Sequence, residues 1–276
     1  MMGGTNGPAW LFVPATRPDR VLRASQVADV TVIDCEDAVA PRERGRARKS
    51  LATLAENLDV EAAVVRVNAP GTDDLTDDLS AVTRAGFTSV MVPKAEEPEL
   101  LARLAPLRVV ALCETPRGIL AAAALAAVPN VIGLMWGSVD LAAVLGVAPW
   151  RGAPQEPGLP DVLAHARWQV LLAARANHVL AIDHAVVELD AMDGVAADAR
   201  LAARSGYDAK ACIHPRQVAV VRDAFTPSPE QLAWAGAVVS TGDTGAQRHD
   251  GQLVDEAVRQ QALRILDRQR RSVSRN

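Results

Sequence analysis

Two acidic residues close two apolar runs in this chain. Val109–Cys113 ends directly in Glu114, and Val131–Trp136 is followed by Gly137, Ser138, Val139 and Asp140. The first run is short and β-branched at its start, so it reads as a buried strand, and the second has the same grammar. A carboxylate at the C-terminal end of such a strand has left the core and faces whatever sits above the sheet. Pro116 and Gly118 then break the pattern and start a helix over Ile119–Ala127. Two carboxylates delivered by successive strands supply hard oxygen ligands for one divalent cation, with water or substrate completing the octahedron.

The other strand ends carry polar groups as well. Val30–Ile33 runs into Asp34, Glu36 and Asp37, while Ala63–Val67 carries Arg66 and leads to Asn68. Ser89–Val92 is followed by Pro93 and Lys94, Val179–Ile182 by Asp183 and His184, and Ala211–Ile213 by His214. Any strand end needs polar turn residues, and that need accounts for Asp34, Asp183 and His184. It accounts poorly for Lys94 and Glu114, which directly follow apolar runs with few other turn formers.

The elements that would position these groups begin with a strand at Trp10–Val13. Helical patterns fill the gaps at Glu43–Asn57, Leu75–Ala85, Pro98–Leu104, Asp161–Asn177 and Met192–Ser205. About eight strand–helix units in this length predict an α/β protein of the (β/α)8 TIM barrel type, whose active sites gather at the C-terminal ends of the strands. A doubly wound open sheet is the alternative, but no Gly-rich nucleotide-binding turn follows Trp10–Val13. Residues 1–8 are Gly-rich and expected to be disordered, and residues 9–225 form the barrel. Residues 226–276 form a helical extension acting as a lid or subunit contact, with helices at Glu230–Ser240 and Leu253–Arg271 joined by the polar linker Thr241–Gln252. The Pro/Gly-rich stretch Gly146–Pro160 reads as a surface loop anchored by Trp150, with Arg151 beside it.

The bulk numbers exclude several classes. The chain has 276 residues, 49% hydrophobic and 22% charged, as in ordinary globular proteins. A net charge of −4 gives no basic footprint for nucleic acid. No stretch is long and apolar enough to span a bilayer, and the N-terminus lacks the pattern of a signal peptide. Cys35, Cys113 and Cys212 fall in or beside apolar runs and are odd in number, so they read as reduced core thiols of a cytoplasmic protein.

Nine motifs occur in order between Leu11 and Glu256: LFVPATRPDR, DCEDAV, VRVNAPGT, VPKAE, ALCETPRG, GLMWGSVDLA, IHPRQ, AFTPS and DGQLVDE. Together they resemble the citrate lyase beta-subunit-like family, within the wider malyl-CoA/citramalyl-CoA lyase and HpcH/HpaI aldolase group. The resemblance covers nearly the whole chain. It implies a (β/α)8 barrel, a homotrimer, Mg2+ as the metal, and a coenzyme A thioester and a keto acid as reactants. Such enzymes cleave or form the bond between a thioester α-carbon and a keto-acid carbonyl carbon, and the candidate esters are citramalyl-CoA, malyl-CoA and hydroxymethylglutaryl-CoA-like.

By the same resemblance Glu114 and Asp140 are the Mg2+ ligands, in agreement with the reading from strand ends. Arg66 faces the substrate oxygen and the developing enolate; the plainer reading of that arginine is an ion pair with Glu36 or Asp37. Glu36 and Asp37 are expected to position metal-bound water and nearby basic groups, and Lys94 joins that charge network. A Schiff base at Lys94 would be redundant beside a metal. Gly137 and Ser138 lie where backbone N–H groups meet the keto-acid carboxylate, although a tight turn equally explains Gly137. Arg17 matches an arginine that helps bind the coenzyme A end, with a solvated loop arginine as the alternative. Asp255 matches a C-terminal acid contributed over a neighbouring subunit's mouth, where it exchanges the α-carbon proton; by itself it would be an ordinary acid at a helix N-terminus. His214 reads as a structural hydrogen-bonder, and Lys210 as a residue of the opposite face. Two positions depart from the family pattern: Val139 where an acid is common before the aspartate, and His249 where relatives are apolar before the Asp-Gly pair. Rival readings are the beta subunit of a citrate lyase complex with alpha and gamma partners, a metal aldolase acting on free hydroxy-keto acids, and a non-catalytic coenzyme A-binding member.

Overall fold

The computed structural model describes residues 7–147, 160–242, 245–249 and 251–273. The loop bearing Trp150 and Arg151, and residues 1–6 of the N-terminal segment, lie outside the described residues. Eight parallel strands close into a barrel in chain order: β1 (Ala9–Pro14), β2 (Val30–Asp34), β3 (Ala63–Arg66), β4 (Ser89–Val92), β5 (Arg108–Cys113), β6 (Val131–Trp136), β7 (Leu180–Asp183) and β8 (Ala209–Cys212). The ring closes where Ala9, Trp10 and Leu11 of β1 pair with Lys210, Ala211 and Cys212 of β8. Around it run α1 (Pro18–Val27), α2 (Arg44–Ala55), α3 (Asp73–Ala85), α4 (Pro98–Ala102), α5 (Pro116–Ala126), α6 (Ser138–Leu145), α7 (Asp161–Ala176), α8 (Met192–Ser205) and α9 (Pro215–Phe225).

Strands buried on both faces explain the continuous apolar runs. One set of side chains, including Trp10, Val32, Met91, Leu112 and Ile182, fills the barrel lumen. The alternate set, including Leu11, Ile33, Val65, Ala111 and Trp136, packs against the helices. This is the period-2 alternation of a strand, applied to both faces of one closed sheet. Helix starts use local chemistry: Thr115 Oγ1 accepts from Gly118 N at 3.0 Å to cap α5, and His214 Nδ1 accepts from Arg216 N at 3.2 Å to cap α9. His214 is therefore the structural hydrogen-bonder expected of it.

Beneath the closing seam, Asp29 Oδ2 accepts the Ala9 N–H at 2.9 Å, and the Arg222 guanidinium on α9 forks onto the same carboxylate at 2.7 Å. Beyond the barrel come α10 (Pro229–Ser240), the strands β9 (Gln247–His249) and β10 (Gln252–Val254), and α11 (Glu256–Val273). Ala235, Val238, Val254 and Ala262 form a separate small core for these elements. The linker expected to be irregular thus contains an antiparallel hairpin, in which His249 pairs with Gln252. The Asp-Gly pair between its strands is a hairpin turn signal, and Gly251 takes a φ of +81°.

Two strand assignments move. The chain places β8 at Ala209–Cys212 instead of Ala211–Ile213, so Lys210 sits inside the strand and not before it on the far face. Likewise β7 ends on Asp183, which turns outward into the layer between sheet and helices. Both shifts have one cause. Lys210 Nζ donates to Asp183 Oδ2 at 2.7 Å and to Asp198 Oδ2 at 2.5 Å, and this pairing lets charged residues occupy a buried strand that hydrophobicity alone does not reveal.

Candidate active site at the barrel mouth

Glu114, one residue past β5, is buried at 2% exposure. Its Oε1 accepts the backbone N–H of Lys94 at 3.0 Å. Lys94 follows β4 with φ +49°, a left-handed conformation that costs energy for any residue with a side chain. That turn aims both the amide and the ammonium of one residue at the same acids. Lys94 Nζ donates to Glu36 Oε1 at 2.6 Å, and lies 3.7 Å from Glu114 Oε1 and 3.8 Å from Asp140 Oδ1. Burial works against this cation, but the Glu36 hydrogen bond and the negative charges of Glu36, Glu114 and Asp37 together outweigh it and raise the lysine pKa. Glu36 is raised by its own burial. Burial, with Asp140 alongside, pushes the Glu114 carboxyl up to about 8.

Gly137 lets these groups meet. A Cβ there would stand 2.7 Å from Glu114 Oε2 and 2.8 Å from Glu114 Cβ, so a side chain would drive the acid out of place. Its own N–H donates to Cys113 O at 3.1 Å, continuing the β5–β6 ladder. That bond commits the Gly137 amide and leaves the free N–H groups to the first turn of α6, from Ser138 to Asp140. Val139 in this turn is 56% exposed. The residue that departs from the family pattern therefore lies on the surface of the chain.

Arg66 is the second centre of the mouth. Its Nε and Nη2 fork onto Asp34 at 2.8 and 2.6 Å, its Nη1 lies 3.2 Å from Glu36 and 3.4 Å from Asp37, and its guanidinium stacks over Phe12 at 5.1 Å. Glu36 therefore links Arg66 to Lys94. The principal partner is Asp34, a residue that sequence reasoning set aside as turn punctuation. Asp34 also accepts the N–H groups of Glu36 and Ala38, at 3.0 and 3.1 Å, and so shapes the whole loop after β2. The available signal was register: Asp34 and Arg66 close neighbouring strands opposite one another. Asn68 and Asp78 form a further support that the sequence did not disclose. Buried Asp78 on α3 accepts from Asn68 N, Asn68 Nδ2 and Arg48 Nε, each at 2.7 Å, and Asn68 Nδ2 donates to Cys35 O at 2.9 Å.

Two of the expected site residues stand apart from this cluster. Arg17, at the start of α1, is held by Asp19 through bonds of 3.1 Å and is half exposed. Asp255 is exposed and caps α11, accepting Val258 N at 3.0 Å. The three cysteines are buried and free, and burial pushes the Cys113 and Cys212 thiols up to about 12, so none is a poised nucleophile.

Chemically, the mouth offers an acid pair converging on a cation, an anchored guanidinium and a set of helix N-terminal amides. Beside them a cavity of about 500 Å³, lined by Pro70, Gly71, Lys94, Leu100 and Thr115, gives room for an organic ligand. The acids fit a hard divalent metal on two counts. Both are carboxylates, hard oxygen donors, and Lys94 spends its close contact on Glu36 at 2.6 Å while standing 3.7 and 3.8 Å from Glu114 and Asp140, so this pair is left without a full counter-charge.

The chain is similar to known proteins along most of its length. Residues 9–215 match the family described as HpcH/HpaI aldolase/citrate lyase. A citrate lyase subunit beta-like protein of Mycobacterium tuberculosis is 44% identical over 264 residues, covering 95% of each chain. The mitochondrial citramalyl-CoA lyase of Rattus norvegicus is 29% identical over 286 residues, covering 94% of this chain and 84% of that one. The crystal structure of CitE from M. tuberculosis, in complex with magnesium, acetoacetate and coenzyme A, superposes with a TM-score of 0.88 at 42% identity, covering 98% of this chain and 99% of the other.

Proposed function

The chain belongs to the HpcH/HpaI aldolase/citrate lyase family, and from that premise we propose that it is a Mg2+-dependent carbon–carbon lyase acting on a β-hydroxyacyl-CoA thioester. Citramalyl-CoA, malyl-CoA and hydroxymethylglutaryl-CoA-like esters are the candidate substrates. The observation that carries the reading is the convergence of Glu114 and Asp140 on one cation at the ends of adjacent strands. In that reading Glu114 and Asp140 hold Mg2+, which draws electron density from the hydroxy-acid oxygens when bound.

The chain's own residues do the rest. Amides of the first turn of α6, with Ser138 leading, receive the carboxylate of the keto-acid half. As the hydroxyl gives up its proton to a water held beside Glu36 and Asp37, the bond between the thioester α-carbon and the hydroxyl-bearing carbon breaks, releasing the keto acid and leaving the electron pair of that bond on the thioester as an enolate. Arg66, fixed by Asp34 and flanked by Glu36 and Asp37, would face that enolate oxygen. Being anchored beforehand, it stabilises the new charge without rearranging. Lys94 balances Glu36 and the metal acids. Asp255 delivers the proton to the α-carbon, and in the synthetic direction removes it. Its distance in role from its own chain's cluster fits a homotrimer in which each extension serves the neighbouring mouth. Arg17, on the rim after β1, takes the coenzyme A end.

The experiment is a cleavage assay on the purified chain alone, with and without Mg2+, on a panel of CoA thioesters including citramalyl-, malyl- and citryl-CoA. Glu114→Ala and Asp255→Asn run beside the wild type. Mg2+-dependent turnover that collapses in both variants is expected and names the substrate. A folded, Mg2+-binding protein with no turnover on any ester would overturn the stand-alone lyase.

A further inference from the structure

Behind α6 lies a buried group of charges that the reaction itself does not use. Asp183, His184 and Asp198 bring ligand atoms within 4.8 Å of one another, an arrangement that would suit a metal ion. It is already filled. Lys210 Nζ bonds both acids, and Arg167 donates to Asp183 Oδ2 at 2.7 Å and to Asp198 Oδ1 at 2.8 Å. Two acids and two cations leave no net charge for a metal to neutralise.

The exception within this group is His184, which faces both ways. Its Nε2 lies 3.3 Å from Asp198 Oδ2, while its Nδ1 is 2.8 Å from Ser138 Oγ at the first residue of α6. Its ring packs 4.5 Å from Trp136, and the Trp136 indole N–H donates to Asp183 Oδ1 at 2.8 Å. Burial and the nearby Lys210 ammonium keep the ring neutral. A neutral imidazole has one donor and one acceptor nitrogen. The Asp198 carboxylate, 3.3 Å from Nε2, favours the tautomer with the proton on that nitrogen, in which Nδ1 accepts the Ser138 O–H.

Among the described residues, the helix that receives this bond is otherwise held by Leu141, by Ala142 against the core and by the Lys94–Asp140 contact. Only eight residues long, α6 buries a single side chain, Leu141, and its Gly137 N-cap offers no side-chain hydrogen bond. Asp140 lies in its first turn, two residues from Ser138. We propose that His184 is a positioning residue for the metal end of the mouth: through Ser138 it pins the first turn of α6, and so Asp140, to the neutral charge cluster between β7, β8, α7 and α8. The inference rests on Asp140 being a metal ligand, as argued above.

The test is calorimetric titration of the whole protein with Mg2+ alone, for wild type, Ser138→Ala, His184→Leu and His184→Asn, with a melting curve for each. Removing either end of the bond is expected to weaken Mg2+ binding about tenfold, the scale of losses when a metal ligand's supporting contact is removed. The double variant Ser138→Ala/His184→Leu should be no weaker than either single one. Asparagine, whose amide oxygen can take the place of Nδ1, should restore most of the affinity. Wild-type affinity in Ser138→Ala and His184→Leu overturns the proposal, as does His184→Asn binding as poorly as His184→Leu. If His184→Leu does not fold, Ser138→Ala decides, because its hydroxyl lies on the open side of the pair. A wild type that binds no Mg2+ overturns the proposed function together with this inference, whereas normal wild-type binding with unaffected variants overturns this inference alone.

Discussion

A methyl group on Gly137 would collide with Glu114, and the two residues must be treated as one device. Gly137→Ala is expected to lower Mg2+ affinity at least tenfold while the protein still melts cooperatively, as calorimetry and a thermal scan would show. Glu114 carries a second consequence. Its carboxyl, ordinarily near 4.5, is raised to about 8 by burial and by Asp140. A folded pKa above the unfolded one means that the native state holds the proton more tightly. Metal-free stability is therefore greatest below about pH 4.5 as far as this group is concerned, and falls as pH rises through 8. Metal binding requires the carboxylate, so Mg2+ uptake near pH 7 should release close to one proton and tighten by up to tenfold per pH unit toward pH 8. Titrations in buffers of different ionisation enthalpy read that proton directly. Glu114 and Asp140 were legible in the sequence because each closes an apolar run. Asp34 was not, because an acid at a strand end is ordinary until the neighbouring strand shows an arginine at the same level.

At the scale of elements, the mouth is held from outside by the helices. The α2–α3 pair carries a ladder in which Arg44 and Arg48 meet Asp74, and Arg48 also meets Asp77 and Asp78. Asp78 reaches through it to Asn68, and Asn68 to the loop of Glu36. Replacing Asp78 by Ala leaves the Asn68 N–H and the Arg48 guanidinium without their buried acceptor, and should cost about 3 kcal/mol in urea unfolding. Activity in the surviving folded fraction should fall as well, since the loops after β2 and β3 lose their common support. The barrel order was legible from eight apolar runs with helical patterns between them. The ends of β7 and β8 were not, for a physical reason: a buried lysine matched by two acids is indistinguishable from a loop until the partner acids, 27 and 12 residues away, are seen beside it. The β9–β10 hairpin escaped notice because three-residue strands carry too little alternation to stand out from a polar linker.

For the whole molecule, the proposed division of one reaction between subunits has a quantitative signature. Glu114→Ala and Asp255→Asn are each expected to be inactive alone. In a mixed trimer, a mouth with an intact Glu114 works when the neighbour that serves it has an intact Asp255. Unfolding and reassembling the two variants in equal amounts should restore activity in about a quarter of the sites, by symmetry of a closed ring. Recovery to that level in a cleavage assay supports the shared site, and none would confine each reaction to a single chain. The seam between β1 and β8 bears on a different stage in the life of the protein. Asp29 holds the first strand and Arg222 belongs to the last barrel helix, 193 residues further on. During synthesis β1 is among the first strands to emerge and the last to gain its second neighbour. Until β8 has been made, the growing sheet has an open edge along β1, available to other nascent chains. The ion pair at the foot of the seam is thus a late latch, and until it closes the β1 edge is open to pairing with a strand from another chain.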